Sequence, residues 1–369
     1  MRAHVLDTVG TDLREGDVAL DPPKAGEVGV RVAACGVCHT DLHVIKGEVA
    51  FPTPCVLGHE ISGWVETLGD GVTGLDVGDR VVCSFIMPCG SCRQCDRGHE
   101  DLCETFFAKN RLKGQLYDGS TRLSAEDGTP IAMYSMAGLA EHAVVPATAV
   151  FRLPDAIPLD AAAVLGCSVF TSYGAVHNVG KVTAGDTVAV VAAGGIGLNI
   201  IQMAAAHGAS RVIAIDIDDE KLALARRVGA TDTVNSRTED ALEAVRGLTD
   251  GHGVDVAFEA FGSAPTVRTA VDVVDDGGRV VLVGIAPVGV EAQFDIARVV
   301  RRKIQILGSF GARASQDMPA VLDLVADGRI RLDELVTDRY AFADAGQAYR
   351  DLADRRIRGR AVVTLTPGG

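Results

Sequence analysis

Four cysteines in the run PCGSCRQCDRGHEDLC, Cys89, Cys92, Cys95 and Cys103, follow a C-x2-C-x2-C-x7-C spacing. Four thiolates so close in the chain can wrap one tetrahedral zinc and leave no open position, which makes a structural site. An iron–sulfur cluster is the rival reading, because C-x2-C-x2-C also serves clusters. Zinc is favoured: the fourth cysteine comes seven residues on and lacks the proline of the bacterial ferredoxin pattern. His99 lies inside this loop, and with four thiolates already completing the shell it is read as exposed.

A second segment, CGVCHTDLHVIKGEVAFPTPCVLGHEISG, crowds Cys38, His39, Thr40, Asp41, His43, His59 and Glu60 into 23 residues. A catalytic zinc wants three protein ligands and an open fourth position. Cys38 and His59 supply a thiolate and an imidazole, and a distant thiolate could be third. Spacing alone leaves Cys35, Cys55, Cys83 and Cys167 all open, and any of them is more often a small buried hydrophobe.

A third group is glycine-rich. DTVAVVAAGGIGLNII sets Gly194, Gly195, Ile196 and Gly197 between a strand-like run and a helix-like run. The turn reads A-x-G-G-x-G, with Ala192 where the dinucleotide fingerprint has its first glycine. Gly194 still allows backbone approach to a pyrophosphate and Gly197 close helix packing, while Ala192 must fit the tight turn. Asp216 ends the next strand-like run, 19 residues after Gly197, near the spacing at which a carboxylate binds an adenosine ribose and repels a 2′-phosphate. NAD is therefore expected over NADP.

The elements that must hold these groups fall into two textures. Residues 1–150 are rich in Gly and Pro, with short apolar runs such as EVGVRVAAC, SGWVETLG and DRVVCSF, the pattern of a β-barrel-like module. From about Ala161, β-branched runs alternate with Ala/Leu-rich helical stretches, which implies crossover units on a doubly wound parallel sheet. The last 60 residues, with an amphipathic DMPAVLDLVADGRI and a final strand RAVVTLTP, are expected to return to the first domain. The segment from Phe106 to Gly138 carries no periodicity that fixes its conformation.

Composition bounds the rest. A chain of 369 residues suggests two domains, and 47 % hydrophobic with 23 % charged residues is globular. No stretch approaches the roughly 20 apolar residues of a membrane span. The opening MRAHVLDTVGTDLREGD lacks a signal pattern, so a cytoplasmic location is expected. A net charge of −14 argues against nucleic acid or anionic lipid as partner. Nine cysteines, an odd number, suit a metal framework in a reducing compartment better than disulfides.

The runs GVCHTDLH and LGHE, the cysteine cluster, GCSVFTSYG and the glycine turn occur in the order of the medium-chain, zinc-dependent alcohol dehydrogenases, which the chain resembles over nearly its whole length. The resemblance implies an α/β fold: a β-rich GroES-like catalytic domain (1–168 and 307–369) and a Rossmann NAD-binding domain (169–306). It singles out Cys167 as third zinc ligand, with Glu60 beside the metal as a transient ligand. Thr40 and His43 resemble a proton relay, and Asp41 the carboxylate that orients His59. It directs Lys221 to the adenosine side, His39 and Arg360 to the pyrophosphate, and Thr171, Val283 and Ile285 to the nicotinamide. Val49 and Phe85 become pocket walls for an alcohol or aldehyde substrate, and a homodimer or homotetramer is implied. A glutathione-dependent formaldehyde dehydrogenase is the alternative, made less favoured by the short stretch between His43 and His59. A redox-inactive structural relative is the other.

Overall fold

The computed structural model describes residues 1–365, which divide into two compact units. The first comprises Met1–Phe170, Arg313–Ala326 and the chain from Val336; the second, Thr171–Ala312 and Asp327–Leu335. The sequence boundaries at 168/169 and 306/307 thus move to 170/171 and 312/313. One segment departs from the expected return to the first domain. Asp327–Leu335 stays with the second unit, because Arg331 N–H donates to Gln202 Oε1 at 2.9 Å, Arg227 pairs with Glu334 at 3.0 Å, and Leu332 and Leu335 are buried.

The second unit is a six-stranded, all-parallel sheet. Its order is Asp232–Asn235, Arg211–Asp216, Thr187–Val191, Val254–Glu259, Val274–Leu282, Gln305–Gly308. In chain order that is 3-2-1-4-5-6, the doubly wound dinucleotide-binding topology. The strands carry near-continuous Val, Ile and Ala because both faces are covered. Ala189, Val191, Ile213, Ile215, Ala257 and Val280 lie in one core, all at most 3 % exposed. Side-chain caps fix the helix starts: Asp218 accepts from Glu220 N–H, and Ser263 with Thr266 forms a capping box.

The first unit is β-rich, with a six-stranded and a seven-stranded sheet. Its organising element is the long strand Glu27–Val37, which pairs antiparallel with Ile61–Leu68 on one side and Arg360–Thr364 on the other. The final strand expected over RAVVTLTP is observed over Arg360–Thr364, and Thr366 and Pro367 lie outside the described residues. DMPAVLDLVADGRI forms most of the helix Ala314–Ala326. The stretch from Phe106 opens with a π-helical turn, Phe106–Arg111, and then gives the short strands Leu123–Ser124 and Pro130–Met133. Among the described residues, no single helix is long and apolar enough to cross a membrane.

Candidate active site and metal centres

Register assembles the first centre. Cys35 pairs with Ile61 and Val37 with Ala361. The strand that ends at Val37 therefore delivers Cys38 beside His59 and Glu60 on one flank and Arg360 on the other. Glu60 lies over the strand only because position 36 is glycine, where a Cβ would sit 2.0 Å from Glu60 Oε2. Cys167 arrives between the turn Ala163–Gly166 and the helix Ser168–Tyr173, held by the bond from Phe85 N–H to Gly166 O at 2.9 Å. One donor atom each from Cys38, His59, Glu60 and Cys167 lies within 4.8 Å of all the others, and all four residues are buried. Of the spare cysteines only Cys167 joins them.

The donor set fits a metal. Asp41 accepts from His59 Nδ1 at 3.0 Å and from Gly58 N–H at 3.1 Å through Oδ1, and from the Tyr349 hydroxyl at 3.2 Å through Oδ2. The imidazole is thereby oriented with Nε2 buried, 3.8 Å from Glu60 Oε1 and without a hydrogen-bond partner, the arrangement a metal-ligating nitrogen requires. Glu60 Oε1 is hydrogen-bonded by the Arg360 guanidinium, and its Oε2 has no partner. Cys38 is held far below its ordinary thiol value, first by the hydrogen bond shared with Cys167, then by Arg360 and His59 over the opposing cost of burial. That same shared bond pushes Cys167 up. Burial pushes Glu60 to about 7 against the pull of Arg360. By contrast, burial raises Cys55 to about 12 and Cys35 and Cys83 upward, so those thiols stay neutral.

The second centre is local. Cys92 Sγ lies 3.5 Å from Cys95 Sγ and 3.9 Å from Cys103 Sγ. Zinc–sulfur bonds of about 2.3 Å in a tetrahedron require sulfurs about 3.8 Å apart, so the cage has zinc dimensions. Backbone N–H groups of Cys89 and Phe106 donate to Cys103 Sγ at 3.2 and 3.4 Å. Cys92 falls to about 6, burial being outweighed by the N–H groups of Cys95 and Glu104. His99 is exposed, as read from the sequence.

The remaining sequence candidates are distributed as follows. Thr40 Oγ1 lies 3.6 Å from Cys38 Sγ. His39 is exposed, its ring 6.4 Å from that of His43, and His43 Nδ1 contacts Glu48 Oε2. Phe85 packs edge-on to His59 at 6.0 Å, and Val49 is half-buried. Arg360, which the resemblance directs to the pyrophosphate, here carries its guanidinium on Glu60.

In the second unit, Gly194 caps the helix Gly195–Ala206, which begins with Gly195, Ile196 and Gly197. A Cβ at Gly197 would stand 1.9 Å from Ala192 O, so the close approach needs glycine. Ala192 fits the turn only in the left-handed region, at φ +78°. Asp216 accepts from Ala193 N–H at 2.7 Å, Ile217 N–H at 2.7 Å and Asp218 N–H at 3.1 Å, which ties the glycine turn to the neighbouring strand end. Lys221 lies on the helix Asp219–Arg227; Thr171 and Val283 are each 8 % exposed and Ile285 is 51 % exposed.

Sequence reasoning missed four neighbours of the first centre. Tyr134 sets its ring edge-on to His59 at 6.1 Å, with Phe51 against it at 4.8 Å, and both come from stretches without periodic signal. The Arg111 guanidinium lies 4.8 Å over the Tyr134 ring. Tyr349 reaches Asp41 from 308 residues away.

Comparison with known proteins agrees with this geometry. Residues 24–155 match the alcohol dehydrogenase GroES-like domain, and residues 195–327 the zinc-binding dehydrogenase family. The chain is 36 % identical to the NDMA-dependent alcohol dehydrogenase of Amycolatopsis methanolica, over 97 % of each. It is 34 % identical to the S-(hydroxymethyl)glutathione dehydrogenase of Komagataella pastoris, over 99 % of this chain and 97 % of that protein. The crystal structure of benzyl alcohol dehydrogenase from Acinetobacter calcoaceticus superposes with a TM-score of 0.93 at 33 % identity, covering 99 % of both chains.

Proposed function

Because this chain belongs to the medium-chain, zinc-dependent alcohol dehydrogenases, we propose that it reversibly oxidises primary or secondary alcohols to aldehydes or ketones with NAD. The observation that carries the reading is the buried cluster of Cys38, His59, Glu60 and Cys167, in which His59 Nε2 has no hydrogen-bond partner. Cys38, His59 and Cys167 would hold a zinc ion whose Lewis acidity would favour loss of the alcohol proton, and nicotinamide held by the second unit would serve as the hydride acceptor. The protein's own residues do the rest. Asp41 and Tyr349 hold His59 in one tautomer and orientation. Arg360 holds Glu60 next to the ligands. The Thr40 hydroxyl beside Cys38 is the inner group of the proton relay, and His43, partly exposed on the same helix, is the outer one.

Phe85, Tyr134 and Val49 support a substrate with a hydrocarbon or aromatic body. NAD over NADP rests on Asp216, which would repel a 2′-phosphate. The test is NADH formation over straight-chain, branched, aromatic and polyol substrates, with and without glutathione. Turnover only with glutathione and formaldehyde would replace this reading with the second one, which the likeness to the Komagataella enzyme favours. Equal or better rates with NADP would overturn the cofactor assignment. Activity in Cys38→Ser would overturn the site.

Self-association as a dimer or tetramer is supported by apolar side chains ahead of the edge strand Gln305–Gly308: Val288, Ile296 and Val300 are 98, 72 and 69 % exposed. Light scattering that returned a monomer would refute it. Cys35, Cys55 and Cys83, buried thiols outside both metal centres, support a reducing compartment such as the cytoplasm.

A further inference from the structure

The helix His39–Ile45 ends by folding the chain back over its own last turn. Gly47 follows the cap residue Lys46 at φ +75°, where a Cβ would also meet Val9 at 2.5 Å. Gly47 N–H donates to Val44 O at 3.0 Å, and Glu48 N–H to His43 O at 2.9 Å. Those two bonds are the paired closure of a glycine-ended helix, which sets the second residue past the cap against the third residue from the helix end. In most proteins that contact is apolar. Here it joins two groups that exchange protons, His43 Nδ1 and Glu48 Oε2.

We propose that Glu48 is a positioning residue for proton release at His43: its carboxylate accepts the Nδ1 proton, fixes the tautomer whose lone pair is on Nε2, and stabilises the imidazolium. The proposal rests on the reading of His43 as the outer relay group. In alcohol oxidation, neutral His43 gains one proton at Nε2 and passes one to water, so the ring returns to neutral and no electrons move through it. The exit is open, because the side chains of His43 and Glu48 are 29 and 40 % exposed. The hydrogen bond from His43 holds the Glu48 carboxyl below its usual range. The other charged groups nearby are His39, with its ring 6.4 Å from that of His43, and Lys46. The helix Ala345–Ala353, packed against His39–Ile45, directs Tyr349 to Asp41 and Arg350 to Asp12 and Gln347.

The experiment compares kcat/KM for alcohol oxidation against pH in the wild type, Glu48→Gln, His43→Gln and the double variant, with thermal melts to confirm folding. Nitrogen-15 shifts of the His43 ring read the tautomer independently of turnover. Glu48→Gln is expected to move the acidic limb down by about half a pH unit, the scale of an exposed ion pair, and to lower the plateau several-fold. Both effects should vanish in the His43→Gln background, and the wild-type ring should carry its proton on Nδ1. A Glu48→Gln profile that superimposes on the wild type while His43→Gln loses its limb would overturn the role of Glu48 alone. An unchanged His43→Gln profile would overturn the relay reading itself. A wild-type ring protonated on Nε2 would overturn the proposal directly.

Discussion

The two metal centres of the first unit are built on opposite plans. The four-cysteine lobe draws its ligands from 15 consecutive residues, Cys89 to Cys103, and three of them are only partly buried. Its sulfurs are held by backbone N–H groups. The other centre draws Cys38 and Cys167 from 129 residues apart, buries every donor, and surrounds them with Asp41, Glu60 and Arg360. A site of four thiolates satisfies its metal and offers it nothing further to do. A site of two thiolates and one imidazole leaves a position open, and its charged surroundings must be balanced by partners brought from distant strands. The first plan stabilises one loop; the second requires the whole sheet to be folded correctly.

Removing one thiolate from each centre tests this most severely. Cys167→Ala should lower kcat/KM by on the order of 10³-fold, because several kcal/mol of charge stabilisation go with the metal. The apparent Tm should barely move, and zinc content should fall from two ions per chain to one. Cys103→Ala should do the reverse. Losing a structural metal costs about 4 kcal/mol, roughly 10 °C in Tm for a unit of this size, while the enzyme still folded at low temperature turns over within a few-fold of wild type. Metal analysis, melting and rate measurements on the same preparations separate the outcomes. A matching loss of activity in both variants would mean that the centres are not divided into one chemical and one structural role.

The same contrast explains what the sequence made legible. The four-cysteine lobe could be read from spacing alone, since its geometry lies within one loop. The alternation of strands and helices likewise announced the parallel sheet, because each crossover unit is local. Cys38 and His59 were candidates by density, but four spare cysteines competed for third place, and only the pairing of strand ends brings Cys167 among the donors. The bond of Arg360 to Glu60 was out of reach for the same reason, since it depends on two strands flanking Glu27–Val37 in register. Asp327–Leu335 went to the unexpected unit because Gln202 and Arg227, not its own periodicity, decide where it sits. The Glu48 contact is the opposite case: helix, glycine and acid stand together in HVIKGEV, and the signal was there to be used.

A smaller effect should follow from Asp41→Asn, which keeps the size of the side chain but removes the charge facing His59 Nδ1. Loss of such an outer partner typically weakens metal affinity by about 10–100-fold. Chelator competition should therefore strip the Cys38 centre first, with the four-cysteine zinc as an internal reference that does not change. Equal release of both ions would contradict the orientation argument.

Tyr349→Phe is the mildest probe and the most specific. It removes one hydroxyl that donates to Asp41 Oδ2 at 3.2 Å, and it leaves the His59 contact with Oδ1 in place. A hydrogen bond to a charged acceptor is worth about 1.5–3 kcal/mol, but Asp41 keeps its bonds from Gly58 and His59, so only part of that reaches the metal. A loss of a few-fold in zinc affinity at the Cys38 centre is expected, smaller than for Asp41→Asn and absent from the four-cysteine lobe. In Asp41→Asn the hydroxyl faces a neutral amide in place of a carboxylate, so adding Tyr349→Phe should cost less there than it does in the wild type. Additive losses in the double variant would place Tyr349 on a separate route to the metal and remove it from the chain Tyr349–Asp41–His59.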